Sequence, residues 1–244
     1  MIEVRDLRKR FGSVVAVDGV SFVAKNGAVT GLLGPNGAGK TTTLRMLYGV
    51  MKPDAGQIRV DGVDAVAAPQ AAQARLGVLP DVYGLYPRLT AREHIRYYGE
   101  LHALDGATLD RRTNDLVRLL DMTEIIDRRA AGFSHGERTK VALARALVHE
   151  PKNVLFDEPT NGLDVMSTRA VREIIRRLRS EGHAVLFSSH VMQEVSALCD
   201  SIVVIAAGRV AASGTSDELR AQARQDNLED AFVALTGPEQ SSSR

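Results

Sequence analysis

The chain has 244 residues, of which 44% are hydrophobic and 25% are charged. These proportions are typical of a soluble globular protein with one large domain, or one domain and a subdomain, and they exclude disordered, collagen-like and coiled-coil chains. The 31 basic and 30 acidic residues leave a formal net charge of +1, so no overall field attracts the chain to nucleic acid or to anionic lipid. We therefore expect no nucleic-acid partner.

The sequence predicts neither a membrane-spanning helix nor a disulfide. Its longest uninterrupted apolar run covers residues 202–207, whereas a membrane-spanning helix needs about 20 apolar residues. Cys199 is the only cysteine, and the first residues lack the basic-then-apolar order of a secretory signal. We expect a protein of the reducing cytoplasm.

In chain order, the first predicted elements are strands. Apolar and polar residues alternate over 2–7 and 15–18, which is the period of a half-buried strand. Residues 29–33 form a short apolar run that predicts a buried strand, and a glycine-rich loop and a helical pattern over 44–50 follow it. The proline and glycine in 52–56 end that helix.

The rest of the chain predicts a helical block and then alternating strands and helices. Helical periodicity dominates from 91 to 149, with interruptions at 105–106 and 131–132. Strands and helices then alternate at 153–156, 167–180, 184–188, 191–198 and 201–205, and a short helix is expected over 228–235. This alternation is typical of a parallel sheet, so the predicted fold class is α/β.

Residues 34–41 match the phosphate-binding pattern G-x-x-x-x-G-K-[ST]. The matching residues are Gly34, Pro35, Asn36, Gly37, Ala38, Gly39, Lys40 and Thr41, and Thr42 follows them. The pattern lies between a predicted strand and a predicted helix, and at this composition only on the order of 0.005 chance matches are expected. A glycine-rich turn without function is therefore a poor interpretation.

The residue types in this loop explain how it would bind phosphate. Glycines allow successive backbone N–H groups to converge on phosphate oxygens, and the helix that begins near Lys40 adds its positive end. We expect Lys40 to reach the β- and γ-phosphates and the Thr41 hydroxyl to ligate Mg²⁺. The loop alone predicts a nucleoside triphosphate ligand without identifying the class of NTPase.

Two adjacent acids, Asp157 and Glu158, end the apolar strand predicted at 153–156. Ligands bind at the carboxyl edge of parallel sheets, so Asp157 is a candidate Mg²⁺ ligand. Glu158 is then a candidate for the general base that activates the attacking water. Without the phosphate loop, an acid pair that caps a following helix would be the default interpretation.

Further motifs accompany these in a characteristic order. They are Phe133-Ser134-His135-Gly136-Glu137, then Asp157-Glu158-Pro159-Thr160-Asn161-Gly162-Leu163-Asp164, and then His190. Over about residues 2–221 the chain therefore resembles the ATP-binding subunit of an ABC transporter. The resemblance implies a P-loop NTPase fold, with a RecA-like parallel-sheet core, an antiparallel β subdomain and a helical subdomain at about 83–150. It also implies an ATPase domain over 1–221 and a short C-terminal extension over 222–244.

The resemblance implies a role for each motif residue. Two such subunits pair head to tail, so Ser134 and Gly136 are expected to contact the γ-phosphate of ATP bound to the other chain. His190 is expected to bond the γ-phosphate and to help position the water. Asp164 is expected to communicate between the two sites, and Phe11 to stack on adenine. Taken without the family, His190 is a satisfied histidine at a strand end, Asp164 a solvated turn residue and Phe11 a packed residue.

The chain departs from the family pattern at a few positions. Asp81 stands where a Gln that ligates Mg²⁺ is usual; it supplies a hard oxygen but is shorter by one methylene. His135 and Glu137 stand where Gly and Gln are common. Because Ser134 and Gly136 are retained, we expect a competent site.

The region from Asp81 to Tyr98 carries a second, narrower resemblance. Residues 81–93 resemble exporter ATPases of the sodium-efflux type, and 227–232 resemble the tail of the wider ABC-2 exporter group. The region is rich in tyrosine and leucine near a predicted helix start, and we expect it to dock on a membrane permease. Packing of these aromatic side chains inside the helical subdomain is an equally weighted alternative.

The resemblance leads to three candidate functions. The first is a Mg²⁺-dependent ATPase subunit on the cytoplasmic face of the membrane. Its ATP-driven pairing with a second copy of itself, or with a related subunit, would power an integral permease for export. The second is a mechanochemical ABC ATPase acting on DNA or ribosomes; the absence of a long heptad run between Lys40 and Ser134 and the single cassette disfavour it. The third is a regulatory module that holds ATP without turnover. Glu158 and His190 disfavour that module, and Asp81 leaves it open.

Overall fold

The computed structural model describes residues 1–237, which form two β-sheets and the helices that cover them. The strands are β1 (Ile2–Phe11), β2 (Val14–Ala24), β3 (Ala28–Leu33), β4 (Ala55–Val60), β5 (Val63–Asp64), β6 (Leu76–Leu79), β7 (Asn153–Asp157), β8 (Ala184–Ser189), β9 (Ser201–Ala206) and β10 (Arg209–Gly214). The helices are α1 (Lys40–Leu47), α2 (Pro69–Gln73), α3 (Ala91–Leu101), α4 (Gly106–Leu119), α5 (His135–Leu147), α6 (Val165–Ser180), α7 (Met192–Leu198), α8 (Ser216–Ala223) and α9 (Leu228–Thr236), with a 3₁₀ turn at Ala130–Gly132.

The larger sheet has the strand order β10-β9-β3-β8-β7-β6, and its neighbouring strands are parallel except for β10 and β9. The α/β prediction is therefore confirmed. In register, Leu33 lies opposite Ser189 and Asp157 lies opposite Ser188. The carboxyl ends of β3, β7 and β8 thus meet at one edge, which brings the phosphate loop, the acid pair and the segment of His190 together.

The smaller sheet is antiparallel, with the order β2-β1-β4-β5. The sequence predicted parts of β1 and β2 and none of β4, β5 and β10. Only two of the six residues of β4 are buried, so this strand lacks the long apolar run by which a strand is recognised from sequence. Its pairing with β1 defines it instead.

The larger sheet separates two hydrophobic cores. Along β7, Val154 and Phe156 face one core and Leu155 faces the other, and along β8 Val185 and Leu186 are divided in the same way. This alternation is the strand period of two, and it shows that both faces of the parallel sheet are buried. The first core lies beneath α3 to α7, and the second lies beneath α1 and the smaller sheet.

The helical block is divided more widely than the sequence predicted, because residues 120–134 separate α4 from α5. Asp121 has a φ of 49°, a conformation in which an α-helix does not continue. Further along, the Ile126 carbonyl oxygen accepts a hydrogen bond of 2.9 Å from the Arg92 N–H in the first turn of α3. The separating segment therefore supplies an acceptor to one of the donors that a helix N-terminus leaves unpaired.

The helix predicted at 228–235 is α9, and its Leu228 and Phe232 are buried in the first core. The described part of the expected extension, 222–237, therefore packs onto the rest of the protein, and 238–244 lie outside the described residues. Within residues 1–237, helices of the length and apolarity needed to cross a membrane are absent.

Candidate functional site

The phosphate loop connects β3 to α1, and its backbone requires glycine. Gly37 and Gly39 have φ of 80° and 105°, and a Cβ on Gly39 would lie 2.5 Å from the Ala16 carbonyl oxygen. Helix α1 begins immediately afterwards, at Lys40. The unpaired N–H groups of the helix start therefore lie beside the loop, which is the arrangement of an anion-binding site.

Lys40 is buried inside this loop, with 5% of its side chain exposed. Its Nζ donates hydrogen bonds of 2.8 Å to the Gly34 carbonyl oxygen and 3.2 Å to the Pro35 carbonyl oxygen. It also lies 3.4 Å from a Glu158 carboxylate oxygen. Backbone carbonyl oxygens of the loop thus hold a cation at the cleft, and a cation there can bind a polyphosphate through charge-assisted hydrogen bonds.

Asp157 is buried at the end of β7. Its Oδ1 accepts hydrogen bonds from the hydroxyls of Thr41, at 3.2 Å, and Ser188, at 2.5 Å. Its Oδ2 is buried and accepts none from residues 1–237. Burial raises the pKa of Asp157, against the two hydrogen bonds, and the charges of Asp81 and Glu158 raise that pKa further.

These surroundings of Asp157 fit a divalent cation. A buried carboxylate oxygen without a partner, beside a threonine hydroxyl, matches the hard oxygen donors that Mg²⁺ prefers. Among residues 1–237 there is no cluster of three or more His, Cys, Asp or Glu side chains that would hold a metal unaided. Mg²⁺ in nucleotide sites is bound by one or two carboxylates together with phosphate oxygens, so Thr41 and Asp157 fit the protein half of such a site.

Glu158 has a left-handed backbone conformation, with a φ of 48°. This conformation is costly for a residue with a side chain, and here the Glu158 N–H bonds to Ser188, at 3.2 Å from its carbonyl oxygen and 3.0 Å from its Oγ. The carboxylate lies between two side chains, with Oε1 3.4 Å from Lys40 Nζ and Oε2 2.9 Å from His190 Nδ1. An acceptor is therefore held at a fixed place beside the loop.

These residues border a cleft of about 340 Å³. The predicted site residues that line it are 36–42, Asp81 and Glu158. Four lining residues were not predicted to belong to the site: Ala16, Tyr83, His135 and Asn161. Gly34 and Pro35 do not line the cleft, but their carbonyl oxygens accept hydrogen bonds from Lys40. His190 does not line it either, and its ring contacts the Glu158 carboxylate.

Phe11 does not line this cleft. It ends β1 with 46% of its surface exposed, and the Lys9 ammonium lies 5.7 Å from the centre of its ring. The alternative that Phe11 is a packed residue does not agree with this exposure. Its stacking on adenine stays a prediction.

Asp81 lines the cleft, but its carboxylate has a partner. An Asp81 oxygen lies 3.3 Å from Arg45 Nη2 in α1, and the two side chains are 37% and 40% exposed. Exposed ion pairs of this kind contribute about 0–1 kcal/mol, so a competing cation can break the pair. The role of Asp81 as a metal ligand stays a prediction.

Ser134 begins α5 as its N-cap, in a reciprocal capping box with Glu137. The Ser134 hydroxyl accepts from the Glu137 N–H at 3.2 Å, and a Glu137 carboxylate oxygen accepts from the Ser134 N–H at 2.7 Å. Arg128 lies 2.7 Å from the other Glu137 oxygen. These bonds lower the pKa of Glu137, foremost the bond from the Ser134 N–H, and they explain how a glutamate is accommodated at this position.

The residues expected to act between two chains lie together. A Cβ on Gly136 would lie 2.6 Å from the Ser167 Oγ and 4.0 Å from an Asp164 carboxylate oxygen. Asp164 is the N-cap of α6 and accepts from the Ser167 N–H at 2.9 Å. The start of α5 therefore packs closely on the start of α6, beside the exposed side chains of Val165 and Met166.

Two residues that the sequence did not assign to the site contact its motifs. Ser188 bonds both Asp157 and Glu158, and its position opposite Asp157 in the sheet is the signal that could have identified it. The ring of His135 stacks on Tyr83 with centroids 5.7 Å apart, and its Nε2 lies 3.0 Å from the Asn161 carbonyl oxygen. No sequence pattern predicts this contact.

A search of known families agrees with this geometry. The family model described as "ABC transporter" matches residues 17–161. The chain belongs to the ABC transporter family. The matched range begins in β2 and contains the phosphate loop, the motif at Ser134 and the acids at the end of β7. The family resemblance predicted from the sequence is therefore confirmed.

Relatives extend the similarity to ABC proteins over almost the whole chain. The ABC transporter ATP-binding protein NatA of Bacillus subtilis (strain 168) is 44% identical over 239 residues, which are 96% of this chain and 97% of that protein. The daunorubicin resistance ATP-binding protein DrrA3 of Streptomyces coeruleorubidus is 37% identical over 93% of this chain and 72% of that protein. A solved structure of an ATP-binding subunit of an ABC transporter superposes with a TM-score of 0.90 at 32% identity, covering 97% of this chain and all of that one.

Proposed function

We propose that this chain is the ATP-hydrolysing subunit of an ABC exporter and that it powers a separate membrane permease. The observation that carries the proposal is the Glu158 carboxylate, which is held between Lys40 and His190 beside the buried oxygen of Asp157. A module that only holds ATP needs the phosphate loop but has no use for a positioned general base. The names of the relatives support the exporter class, since one is named a daunorubicin resistance ATP-binding protein and another a Nod factor export ATP-binding protein.

The chain's own residues supply the groups that phosphoryl transfer needs. The loop at 34–39 and the start of α1 bind the phosphates through N–H groups, and Lys40 neutralises the charge on the β- and γ-phosphates. Asp157 and Thr41 would hold Mg²⁺, with Asp81 as a third ligand once it leaves Arg45. The metal ion would neutralise the charge that develops on the phosphate oxygens.

Glu158 and His190 would act on the attacking water. The Glu158 carboxylate accepts a hydrogen bond from the water and takes its proton as the oxygen attacks the γ-phosphorus. The bond from the γ-phosphorus to the bridging oxygen breaks in the same step, and that oxygen leaves with ADP. His190 lies 2.9 Å from the same carboxylate, so it fixes the orientation of Glu158 and would bond the γ-phosphate from there. The two residues therefore form one unit, with Glu158 as the base and His190 as its orienting partner.

The shared-site dimer is part of the proposal. The Ser134 hydroxyl uses its oxygen to accept from Glu137, so its hydrogen remains free to donate to a phosphate oxygen of ATP held by a second copy. The N-terminus of the 13-residue helix α5 adds a positive dipole end there. Asp164, at the start of α6, lies on the same face as Gly136 and would transmit the state of one site to the other.

The membrane partner and the domain limits complete the proposal. Val82, Tyr86 and Tyr97 are exposed apolar side chains before and within α3, and we take them as the docking patch for the permease. We keep 1–221 as the ATPase domain and 83–150 as its helical subdomain, with the extension from 222 packed through α9. Docking on the permease would hold the protein at the cytoplasmic face of the membrane.

The test is the substitution Glu158→Gln, which keeps the shape of the side chain and removes the base. We expect kcat for ATP to fall about 10²- to 10⁴-fold while ATP still binds, and light scattering to show more dimer with ATP than with ADP. Glu173→Gln is the matched control, since the Glu173 side chain is 77% exposed on α6. Turnover by Glu158→Gln equal to wild type would refute the base assignment, and ATP binding without turnover by the wild type would favour the ATP-holding module.

A further inference from the structure

A buried carboxylate in α7 takes no part in the chemistry described so far. Glu194 is 4% exposed and lies in the first turn of this helix, four positions after His190. Its Oε2 accepts a hydrogen bond of 2.5 Å from the Thr160 hydroxyl and one of 3.5 Å from the Ser189 hydroxyl. Its Oε1 lies 3.2 Å from Nη2 of Arg172.

The three partners of Glu194 belong to three different elements of the site. Thr160 lies in the loop after Glu158, two positions from the proposed base. Ser189 ends β8 directly before His190, and its Oγ also accepts from the Val191 N–H at 3.0 Å. Arg172 lies in α6, the helix that Asp164 caps. A single carboxylate therefore joins the Glu158 loop, the His190 loop and α6.

The energetics of this arrangement do not favour a purely structural role. A buried carboxylate loses its hydration, and its ion pair with one guanidinium rarely repays that loss better than a well-packed apolar side chain would. The charged group instead supplies directional hydrogen bonds, which fix the relative positions of the groups that donate them. Two of those groups, Thr160 and Ser189, lie within two positions of Glu158 or His190.

We propose that Glu194 is a positioning residue for ATP hydrolysis, which holds the Glu158 loop and the His190 loop in the register where imidazole and carboxylate meet. The inference rests on the proposed function, because it takes Glu158 as the base. It assigns no contact with ATP to Glu194, which acts through Thr160 and Ser189. Loss of the Glu194 carboxylate should therefore affect the chemical step more than the binding of nucleotide.

Two substitutions test the proposal from opposite ends of one hydrogen bond. Glu194→Gln keeps the size of the side chain but removes its charge, and Thr160→Val keeps the shape of threonine but removes its hydroxyl. For each variant we expect kcat to fall about 10- to 100-fold, because small misplacements of catalytic groups reduce the rate by about this much. KM for ATP should stay within about twofold of wild type. Thr160→Ser restores the hydroxyl and should recover kcat to within about threefold of wild type.

The double variant and a thermal melt separate positioning from general damage. Because Glu194→Gln weakens and Thr160→Val removes the same charge-assisted hydrogen bond, the loss of kcat in the double variant should be smaller than the two single losses combined. Glu173→Gln is again the control and should match wild type. Activities are compared per folded protein, from melts followed by circular dichroism.

Several outcomes would overturn the proposal. Wild-type kcat in both single variants, additive losses in the double variant, or equal changes in kcat and KM would each do so. If Glu194→Gln fails to fold, the Thr160→Val and Thr160→Ser pair decides by the same criteria. Glu158→Gln is measured in parallel: if it alone is inactive, only the role of Glu194 is refuted, and if it is fully active, the proposed function itself fails.

Discussion

At the scale of single residues, Asp157 keeps an unpaired carboxylate oxygen in a buried position. Burial raises the pKa of this carboxyl, and the neighbouring charges of Asp81 and Glu158 raise it further. The folded protein therefore binds the proton more tightly than the unfolded chain does. Stability from this group falls as the pH rises above the unfolded value of about 3.9, so at pH 7 the ionised carboxylate destabilises the nucleotide-free protein.

We therefore expect Asp157→Asn to stabilise the nucleotide-free protein while it removes function. The neutral amide avoids the cost of the buried charge, and the free energy of unfolding should rise by roughly 0.5–2 kcal/mol at pH 7. Urea unfolding without nucleotide measures this, and the same variant should lose Mg²⁺-dependent turnover. Asp115→Asn, at a 41% exposed carboxylate, should change stability by less than about 0.5 kcal/mol. A less stable Asp157→Asn would contradict this account.

At the scale of elements, α3 and α5 meet through two histidines. His102 ends α3 and His149 follows α5, and their rings stack in parallel with centroids 3.6 Å apart. The His149 Nε2 lies 3.0 Å from the Leu76 carbonyl oxygen of β6. Burial, helped by the nearby His102, lowers the pKa of His149 to about 4. This contact between helices and sheet therefore depends on a neutral imidazole.

Acid should weaken the protein through His149. Its pKa is about 4 in the folded protein and about 6.5 in an unfolded chain, so the stability is fully present above pH 6.5 and is lost as the pH falls toward 4. Between pH 7.5 and pH 5.0 this loss amounts to about 2 kcal/mol. His149→Gln keeps a donor for Leu76 and does not titrate, so urea unfolding should show a correspondingly smaller loss. An equal loss in both proteins would exclude His149 as the cause.

At the scale of the whole molecule, the structure divides the aromatic region into packed and exposed members. Tyr83 and Leu85 pack against the first core, whereas Tyr86 is 52% exposed. The packing alternative therefore holds for Tyr83 and Leu85, and docking through the exposed Tyr86 stays a prediction. Tyr86 also bonds the buried His94 through its backbone N–H, at 2.9 Å from Nε2, so its segment is held in place while its ring faces outward.

Substitutions at these two kinds of position should behave differently. Tyr86→Asp should leave the ATPase activity unchanged and the free energy of unfolding within about 0.5 kcal/mol of wild type. The same variant should no longer co-purify with a co-expressed permease. Leu85→Asp should lower the free energy of unfolding by roughly 1–2 kcal/mol, because it replaces a half-buried apolar contact with the first core by a charge. Val233→Asp, at an exposed position of α9, is the control for an added surface charge. Wild-type co-purification of Tyr86→Asp would move the docking surface elsewhere.

The sequence by itself determined the features that depend on neighbours along the chain. The phosphate loop is one, since its glycines, Lys40 and the following helix act through local backbone geometry. The acids at the end of β7 are another, because a strand that ends in Asp157 and Glu158 presents them at the sheet edge in any parallel arrangement. The α/β class followed from the alternation of short apolar runs with helical periods.

Only the tertiary structure decided which distant groups meet these motifs. Ser188 supports both acids because β8 pairs with β7 in one register, and Asp81 has Arg45 as its partner because α1 passes beside it. The division between exposed Tyr86 and packed Leu85, like the contact of Glu194 with Thr160, comes from helices packing on a sheet. Composition and periodicity carry no information about such pairs, because distances through space depend on packing between segments that the sequence separates.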